Sequence, residues 1–456
     1  MLSAICRLPL ASRAFVPAVS HAAVYCPSRR LHQTTSLHGK IVFERINEHE
    51  RPHLMTIENG KKVIPTFSAE EMATRMAKLR SLMTENDMEA VLFTSYHNIN
   101  YYSDFLHVAF GRPYGLAITH DSATIISGLV DWAQPWRRAI ANNCGNLIYT
   151  DWQRDNYWRA VQKLLGHVRG KVGVETDHMT IVNKPKFQQA VPYAAEMLDI
   201  SVPAMQLRIV KSDEEVAHLR KMAAIAEEGG MAQVKAMKEG AADYEIALHG
   251  TQAMVKSIAK TFPVGTELRD TWVYFHTGPN TDSCHSPPVG LTVKKGVVSS
   301  INAFPMVGGY YAAFERTAFL DHVPDENLRI WEINCEVTRR GIELIKPGVK
   351  CKDVAMELNE LFRKHDLPDA RPFGYGHSFG ILCHYYGREA ALEFREDIET
   401  VLEPNMVVSM EPMTVIQEGM PGAGGYREHD MVLVTEDGNE DLNTIGFGPE
   451  HFVIKH

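Results

Sequence analysis

Four ionisable side chains lie in segments whose composition indicates burial or a tight loop. His285 lies in the turn-rich loop "NTDSCHSPPVG", His377 lies in the glycine-flanked "GYGHSFG", and Glu315 and Glu411 end the apolar runs "NAFPMVGGYYAAFE" and "MVVSME". A buried carboxylate is costly unless a cation or hydrogen-bond donors meet it, and an imidazole exchanges protons near neutral pH. Acid–base chemistry on a bound cation is one interpretation. Surface imidazoles and structural salt bridges are the alternative.

Two arginines have surroundings typical of an anion site. Arg112 in "FGRPYG" and Arg388 in "HYYGREA" are set among glycines and aromatic residues, where a guanidinium can bind a carboxylate through parallel hydrogen bonds. A surface or stacking role is the alternative for a single arginine. Glu428 in "GGYREHDMV" follows Arg427 directly, so a local salt bridge is the simpler interpretation of this acid.

Charge and composition narrow the class of partner. The 456-residue chain has 47 basic and 56 acidic side chains, a net charge of -9, and 45% hydrophobic residues, which is typical of a globular protein. The acidic balance argues against nucleic acid or an anionic membrane as the main partner. No apolar run is long enough to span a membrane, and the seven cysteines lack paired spacing, as reduced thiols do.

The first 43 residues differ in composition from the rest of the chain. They contain several serines and threonines and no acid before Glu44, and their basic residues are Arg7, Arg13, Arg29, Arg30 and Lys40. This composition is typical of a transit peptide, so we predict that residues 1–43 are a cleaved presequence and that the protein lies in the mitochondrial matrix. An unstructured tail on a cytoplasmic protein is the alternative.

The segment from residue 62 to residue 205 alternates helices and strands. A capping box of Ser68 and Glu71 predicts the start of an amphipathic helix. Apolar runs predict strands at 90–95, 115–119, 123–127 and 171–175, and helices around 129–142 and 155–168. This alternation predicts an N-terminal α/β domain.

The segment from residue 206 to residue 456 repeats one pattern. A second capping box, Ser212 with Glu215, begins a long helix, a further helix follows at 243–260, and three strand-like runs come next. Helices at 326–346 and 352–365 then precede two more strands. Two helices followed by strands, occurring twice, indicate a duplicated curved-sheet unit, and we place the domain boundary near 205–211.

Seven segments together resemble the creatinase family of the pita-bread hydrolases. They are "FTSYHNINYYSDF", "FGRPY", "TDWQRDNY", "FGYGHSFG", "HYYGREA", "VVSMEPM" and "PGAGGYREHD", in a resemblance that runs from about residue 62 to the end of the chain. The resemblance implies a smaller N-terminal α/β domain and a C-terminal pita-bread domain with a pseudo-twofold duplicated, curved antiparallel sheet. It also implies hydrolysis of creatine to sarcosine and urea.

The resemblance further implies a site without a metal ion or another cofactor. The peptidases of this superfamily hold two metal ions on two aspartates, a histidine and two glutamates, and in this chain the aspartate positions carry Asn302 and Ala313. His377, Glu411 and Glu428 match the other ligand positions. Two carboxylates and one imidazole supply fewer oxygen donors and less charge than a hard dication usually needs.

Substrate contacts follow from the resemblance residue by residue. Creatine has a guanidinium at one end and a carboxylate at the other, so the family's site pairs two acids with two arginines. The matching residues here are Glu315 and Glu411 for the guanidinium, Arg112 and Arg388 for the carboxylate, and Tyr311 and His377 as further substrate contacts.

His285 matches the catalytic histidine of the family. Amidine hydrolysis needs a base that deprotonates the attacking water and an acid that protonates the departing nitrogen, and one imidazole can do both. The flanking "SCHSPP" departs from the family pattern, and we interpret Cys284 as an inert thiol, with oxidation sensitivity as the alternative. Phe110 and Arg112 match residues that enter the neighbouring subunit's site, which implies an obligatory homodimer.

Two other functions stay open on sequence alone. The first is a metallopeptidase that cleaves peptide bonds before proline, and Asn302 and Ala313 argue against it. The second is a protein that binds a guanidino acid without turning it over. The presence of His285 together with both acids and both arginines argues against a binder, because binding alone does not need the histidine.

Overall fold

The computed structural model describes residues 32–36, 39–44, 49, 51–108, 110–139, 144–151, 155–367, 370–383, 389 and 391–455. These residues form two α/β domains, which confirms the predicted fold class. Within the described part of the chain, no helix has the length and apolar character needed to cross a membrane.

The N-terminal domain is built on a nine-stranded mixed sheet with the order β1-β2-β3-β7-β6-β5-β4-β8-β9. Its strands are β1 His32–Ser36, β2 Gly39–Glu44, β3 Leu54–Glu58, β4 Met88–Phe93, β5 Gly115–Thr119, β6 Ala123–Gly128, β7 Gly145–Tyr149, β8 Lys171–Val174 and β9 Glu196–Asp199. Its helices are α1 Ala69–Glu85, α2 Tyr96–Ser103, α3 Gln134–Arg138, α4 Asn156–Leu165, α5 Asn183–Ala190 and α6 Ser201–Gln206. Three strand pairs, β4–β8, β8–β9 and β6–β7, are parallel.

Helix α1 begins where the sequence predicts it. The Ser68 hydroxyl accepts a hydrogen bond from the backbone N–H of Glu71 at 3.0 Å, which caps the first turn. The predicted reciprocal bond is replaced, because the Glu71 carboxylate accepts from Arg75 Nε at 2.6 Å instead. Apolar side chains at helical spacing, among them Met72 and Leu79, are buried against the sheet.

The N-terminal region differs from the sequence analysis in two places. Strands β1 and β2 pair with each other and β2 pairs with β3, so residues 32–36 and 39–44 form strands that the sequence analysis missed, and the cleaved presequence of residues 1–43 stays a prediction. Residues 1–31 lie outside the described part of the chain. The helix predicted around 129–142 is interrupted: a short 3-10 turn covers Leu129–Asp131, and α3 begins separately, with Pro135 in its first turn, where proline is tolerated.

The C-terminal domain contains the predicted repeat of two helices followed by strands. Its helices are α7 Asp213–Ala236, α8 Asp243–Thr261, α9 Asp325–Leu344, α10 Cys351–Lys364 and α11 Pro449–Phe452. Its strands are β10 Trp272–Thr277, β11 Val298–Phe304, β12 Met306–Val307, β13 Tyr310–Tyr311, β14 Phe314–Leu320, β15 Val407–Met410, β16 Met413–Ile416, β17 Gly424–Arg427, β18 Asp430–Val434, β19 Asn439–Asp441 and β20 Val453–Ile454. They form the sheets β10-β11-β14-β20, β15-β18-β19, β12-β13 and β16-β17.

The long hairpin of β11 and β14 brings charge into the core of this domain. The glycine turn between β12 and β13 uses Gly308 and Gly309 at φ values of 60° and 86°, which glycine adopts without strain. The register places Asn302 of β11 directly opposite Glu315 of β14, and every residue of both strands is buried. Polar side chains on these strands therefore need partners inside the protein.

Candidate active site

Backbone pairing brings four segments to one place. The N–H of His429, between β17 and β18, donates to the carbonyl of Glu315 at 3.1 Å. The N–H of Glu411, just after β15, donates to the carbonyl of Tyr375 at 2.8 Å. The N–H of His377 donates to the Ser409 hydroxyl at 2.8 Å, which fixes the histidine beside β15. The two carboxylates and two imidazoles therefore come from separate but mutually bonded strands and loops.

His377, Glu411, His429 and Glu315 form a continuous buried cluster. His377 Nε2 lies 3.3 Å from Glu411 Oε2, and His429 Nδ1 lies 3.7 Å from the same oxygen. His429 Nδ1 also lies 3.4 Å from Glu315 Oε1, so this imidazole is shared between the two acids. The two histidine rings meet edge to face, with centroids 5.8 Å apart.

The ionisable groups of this cluster shift one another's pKa values in favour of the charged forms. Burial opposes ionisation of Glu411, but His429, His377 and Arg427 outweigh burial and hold the pKa of Glu411 well below its usual range. Burial alone would lower the pKa of His429, yet Glu411 and Glu315 raise it above the ordinary value. Glu411 is therefore anionic at neutral pH and faces an imidazole that favours its charged form.

Arg427 is the partner of Glu315, which corrects the predicted local salt bridge to Glu428. The Arg427 Nε contacts Glu315 Oε2, and Nη2 donates to the amide oxygen of Asn302. All three side chains are buried. Glu428 instead accepts a hydrogen bond from Trp331 Nε1 at 2.7 Å, and burial raises its pKa to about 8. Successive residues of an extended chain point to opposite sides, which separates Arg427 from Glu428.

A cavity of about 540 Å³ opens beside the cluster. His285, His377 and Glu411 line it together with Cys284 and Met413. Its volume is within the range of small-molecule sites, on the order of 300–1,000 Å³. Three of the predicted site residues therefore share one cavity.

The loop that carries His285 is fastened at both sides. The hydroxyl of Thr281 accepts a hydrogen bond from the N–H of Gly425 in β17 at 2.9 Å. The buried His276 bonds the carbonyl of Ser286 at 2.6 Å. The side chain of His285 is exposed and lines the cavity. Burial raises the pKa of the neighbouring Cys284 thiol to about 11. That thiol is protonated at neutral pH, which supports the inert interpretation over oxidation sensitivity.

The remaining predicted site residues do not line this cavity in the described part of the chain. Glu315 lies behind His429, and the buried Tyr311 donates its hydroxyl to the carbonyl of Asp270 at 3.0 Å. Phe110 belongs to the N-terminal domain and is 79% exposed. Arg112 lines a separate cavity there, beside β6 and β7. Arg388 lies outside the described residues.

His429 and the role of Arg427 were missed by sequence reasoning. The signal available was the charged run "REHD" between two buried strands, which puts ionisable groups in a core. The contact of His429 with Glu315 depends on an isolated bridge between residues more than a hundred positions apart. No local pattern encodes that register.

The residues at this place do not fit a pair of metal ions. The amide of Asn302 donates to the carbonyls of Tyr274 and Ser300, both at 3.1 Å, while its oxygen accepts from the Arg427 guanidinium. Ala313 has no ligand atom. The two positions that match the aspartate ligands of the peptidases therefore hold an amide and a methyl group, and the Arg427 guanidinium contacts the amide. Among described residues, His377, Glu411 and His429 lie close enough together to hold a single ion.

Comparison with known proteins identifies the family of both domains. Residues 75–210 match the creatinase/prolidase N-terminal domain, and residues 217–436 match metallopeptidase family M24. A creatinase from Bacillus sp. (strain B-0618) is 53% identical over 415 residues, which cover 90% of this chain and 100% of that protein. An uncharacterized peptidase of Staphylococcus aureus (strain NCTC 8325 / PS 47) is 22% identical, over 81% of this chain and 98% of its own length.

Solved structures of peptidases share the fold. The prolidase from Pyrococcus horikoshii OT3 superposes with a TM-score of 0.68 at 20% identity, covering 82% of this chain and 99% of that one. The Xaa-Pro dipeptidase from Bacillus anthracis gives a TM-score of 0.68 at 22% identity, covering 84% and 100%. These similarities confirm the predicted two-domain, pita-bread architecture. Because the bacterial creatinase matches along its whole length, this chain belongs to the creatinase family.

Proposed function

We propose that the protein hydrolyses creatine to sarcosine and urea. The observation that carries this proposal is the cavity in which an imidazole, His285, faces an anionic Glu411, in a chain 53% identical to a creatinase. Creatine's guanidinium is a cation of matching charge for Glu411. The imidazole of His429 lies between Glu411 and the carboxylate of Glu315, and these two groups fix the orientation of Glu411.

In the proposed reaction, His285 is both base and acid. It removes a proton from water as the water oxygen bonds to the guanidino carbon. The bond between that carbon and the methylated nitrogen then breaks, and His285 returns the proton to the departing nitrogen. The departing nitrogen belongs to the product sarcosine, and the guanidino carbon, now bonded to the water oxygen, belongs to the product urea. Glu411 holds the guanidinium in a pose that weakens its conjugation, and Glu315 positions Glu411 through His429, so binding energy from the far end of creatine lowers the barrier.

We propose that this reaction needs no metal ion. Support comes from Asn302, whose amide is fully used by two carbonyls and Arg427, and from Ala313, which offers no ligand. A carboxylate at either position, as the peptidases have, would supply the missing donors. The rival function, a metal-dependent peptidase acting before proline, lacks those donors in this chain.

We propose a homodimer in which Phe110 and Arg112 act in the neighbouring subunit's site. Support comes from the 79% exposure of Phe110, a large aromatic side chain, and from the position of Arg112 away from its own chain's cavity. Co-expression of His285→Ala and Arg112→Ala subunits tests this proposal. Heterodimers then hold one intact site, so activity is expected to exceed that of either variant alone. Activity no greater than the sum of the two variants contradicts action across subunits.

We propose that the basic segment before β1 directs the protein to the mitochondrial matrix. Support comes from Arg7, Arg13, Arg29 and Arg30, with no acid among residues 1–31. A fluorescent reporter that carries residues 1–31 is expected in mitochondria, and the same reporter with Arg29→Gln and Arg30→Gln is expected to be delocalised. A cytoplasmic signal from the unchanged segment contradicts the proposal.

The test of the main proposal is product analysis with creatine. Purified protein is expected to release urea and sarcosine in equal amounts, and His285→Ala is expected to lose roughly a hundredfold to ten-thousandfold in kcat. A dipeptide ending in proline serves as the rival substrate. Cleavage of that dipeptide without urea from creatine supports a peptidase. Calorimetric binding of creatine without products supports a binding protein.

A further inference from the structure

We propose that His276 is a positioning residue for His285. It holds the carbonyl of Ser286, and with it the catalytic loop of residues 278–291, at a fixed place over the sheet that carries Glu315. The inference deepens the proposed creatine hydrolysis and rests on it for the kinetic readout. A second readout, the hydrogen exchange of the catalytic loop, does not depend on turnover.

The first observation is the bond between His276 and the residue that follows His285. His276 Nε2 lies 2.6 Å from the carbonyl oxygen of Ser286. A carbonyl oxygen only accepts, so Nε2 carries the proton and donates it. Because Ser286 is the next residue after His285, this bond fixes the backbone at one side of the catalytic imidazole. A displacement of about 1 Å in an active site can cost roughly a hundredfold in rate.

The second observation is that the imidazole of His276 has a fixed orientation. It is 1% exposed, and the ring of Tyr274, two residues earlier on β10, stacks beside it with ring centroids 5.7 Å apart. Burial and the nearby Arg427 guanidinium lower the pKa of His276 to about 4. The imidazole is therefore neutral at pH 7, and its one proton is used in the bond to Ser286.

The third observation is the register of the sheet beneath the catalytic loop. His276 of β10 pairs with Ser300 of β11. Two residues further along β11, Asn302 pairs with Glu315 of β14. Directly paired residues, and residues two apart on one strand, point to the same face of a sheet. One face therefore carries both Glu315 and the side chain that holds the catalytic loop, so this sheet sets the spacing between the loop and the acids.

The fourth observation is that both ends of the catalytic loop are attached independently of His276. Near its start, the hydroxyl of Thr281 accepts from the N–H of Gly425 in β17 at 2.9 Å. Near its end, the buried carboxylate of Asp243 in α8 accepts from the N–H groups of residues 289–291 at 2.8, 2.9 and 3.3 Å. Loss of the His276 bond therefore releases the middle of the loop while its ends stay in place.

The test compares His276→Leu and His276→Gln with the unchanged protein. His276→Leu removes the donor and is expected to lower kcat for creatine tenfold to about a hundredfold. KM is expected to stay within about twofold, because Glu411, which binds the guanidinium, is unchanged. Glutamine places an amide N–H near the position of Nε2, so His276→Gln is expected to keep kcat within about threefold of the unchanged protein. A glutamine variant as slow as the leucine variant overturns the role of the hydrogen bond.

His218→Leu is the matched control. His218 on α7 is also a buried imidazole, its Nε2 lies 3.1 Å from the carbonyl oxygen of Val307, and burial lowers its pKa to about 4. It lines a separate cavity, between the two domains. Both leucine variants leave a buried carbonyl without its donor, so both are expected to lower the melting temperature. Only His276→Leu is expected to lose kcat, and an equal loss in the two variants overturns the proposal.

Hydrogen exchange followed by mass spectrometry supplies the second readout. Peptides that cover residues 278–291 are expected to exchange faster in His276→Leu than in the unchanged protein, because the loop opens more often. The same peptides are expected to exchange at the unchanged rate in His218→Leu. Equal exchange of these peptides in His276→Leu and in the unchanged protein overturns the proposal.

Two further outcomes are separable. If His276→Leu does not fold, His276→Asn decides, because the shorter amide does not reach the carbonyl of Ser286. A kcat equal to that of His276→Gln then overturns the proposal, and a tenfold or larger difference supports it. If the unchanged protein releases no urea from creatine, the proposed function fails, while the hydrogen-exchange comparison still supports or overturns the anchoring by His276.

Discussion

Glu315 and Glu428 are two buried glutamates of the C-terminal domain with opposite surroundings. Glu315 is 2% exposed and contacts the guanidinium of Arg427 and the imidazole of His429. Glu428 is 0% exposed and accepts a hydrogen bond from the neutral indole of Trp331, and burial raises its pKa to about 8. Burial is the same in both cases, and the partners differ.

The difference shows what makes a buried carboxylate useful for binding a cation. A carboxylate in contact with a guanidinium and an imidazole can stay ionised in the core, whereas at Glu428 burial outweighs the nearby Arg316 guanidinium and raises the carboxyl pKa. In this chain the guanidinium of Arg427 contacts Glu315 and lowers the pKa of Glu411, and the imidazole of His429 lies between the two acids.

The largest expected effect is that of Glu315→Gln. The change removes the carboxylate that Arg427 and His429 contact, and through His429 it removes the group that positions Glu411. We expect kcat/KM for creatine to fall by about a thousandfold, as for loss of one partner of a buried pair. Urea release measures the effect, and circular dichroism checks that the variant is folded. A folded Glu315→Gln variant that keeps a tenth of the activity or more would contradict the difference in role between Glu315 and Glu428.

The next effect is that of His429→Gln, which removes the imidazole shared by Glu315 and Glu411 while keeping a hydrogen-bond donor. The two acids then lose one positive neighbour, and the pKa of Glu411 is expected to rise. We expect a loss of roughly a hundredfold in kcat/KM, from misplaced acids. The acidic limb of the pH–rate profile is expected to move to higher pH. An unmoved profile with full activity would contradict the shared role.

Asp104 extends the comparison to a carboxyl at the end of α2, where burial raises the pKa from 3.8 to about 6. Between those pH values the folded state keeps a proton that the unfolded state releases, so stability falls as pH rises. Asp104→Asn keeps the left-handed φ of 58° and can still accept from the N–H of Thr66. We expect it to raise the free energy of unfolding by roughly 2 kcal/mol at pH 7.5.

The Asp104→Asn gain is expected to be largely lost at pH 4, where the Asp104 carboxyl is protonated in the folded protein and partly protonated in the unfolded chain. Urea denaturation at the two pH values provides the measurement. An equal gain at both would assign the effect to the helix end rather than to the buried charge.

The smallest effect is expected for Glu428→Gln. Because the carboxyl is protonated at neutral pH, its isosteric amide keeps the hydrogen bond from Trp331 and changes no charge. We expect kcat/KM within about threefold of the unchanged protein. Loss comparable to that of Glu315→Gln would show that Glu428 belongs to the charged site and would remove the distinction between the two acids.

Local patterns predicted most elements but few of the contacts. The capping residue Ser68 and the apolar spacing of α1 follow from neighbouring residues, and both are confirmed. Strands β1 and β2 were missed because the basic composition of the tail outweighed the short apolar run "KIVF". The helix at 129–142 was wrong because the apolar pattern ignored Pro135.

The sequence predicted only part of the candidate site, because local patterns mark some of its residues and strand register brings the others together. His285, His377 and Glu411 stood out through the glycines, turn formers and apolar runs around them, and the structure gathers them around one cavity. The pairing of Arg427 with Glu315 rather than Glu428 depends on strand register between distant segments. Adjacent charges in a sequence suggest a pair, yet alternation along an extended chain separates them.

The central claim, hydrolysis of creatine without a metal ion, is tested most directly by metal-stripped protein. Protein treated with a strong chelator, and shown by mass spectrometry to contain less than a tenth of a metal ion per chain, is assayed for urea and sarcosine from creatine. Undiminished, equal release of both products is the predicted result. Loss of turnover that returns with Mn²⁺ or Co²⁺ would contradict the account.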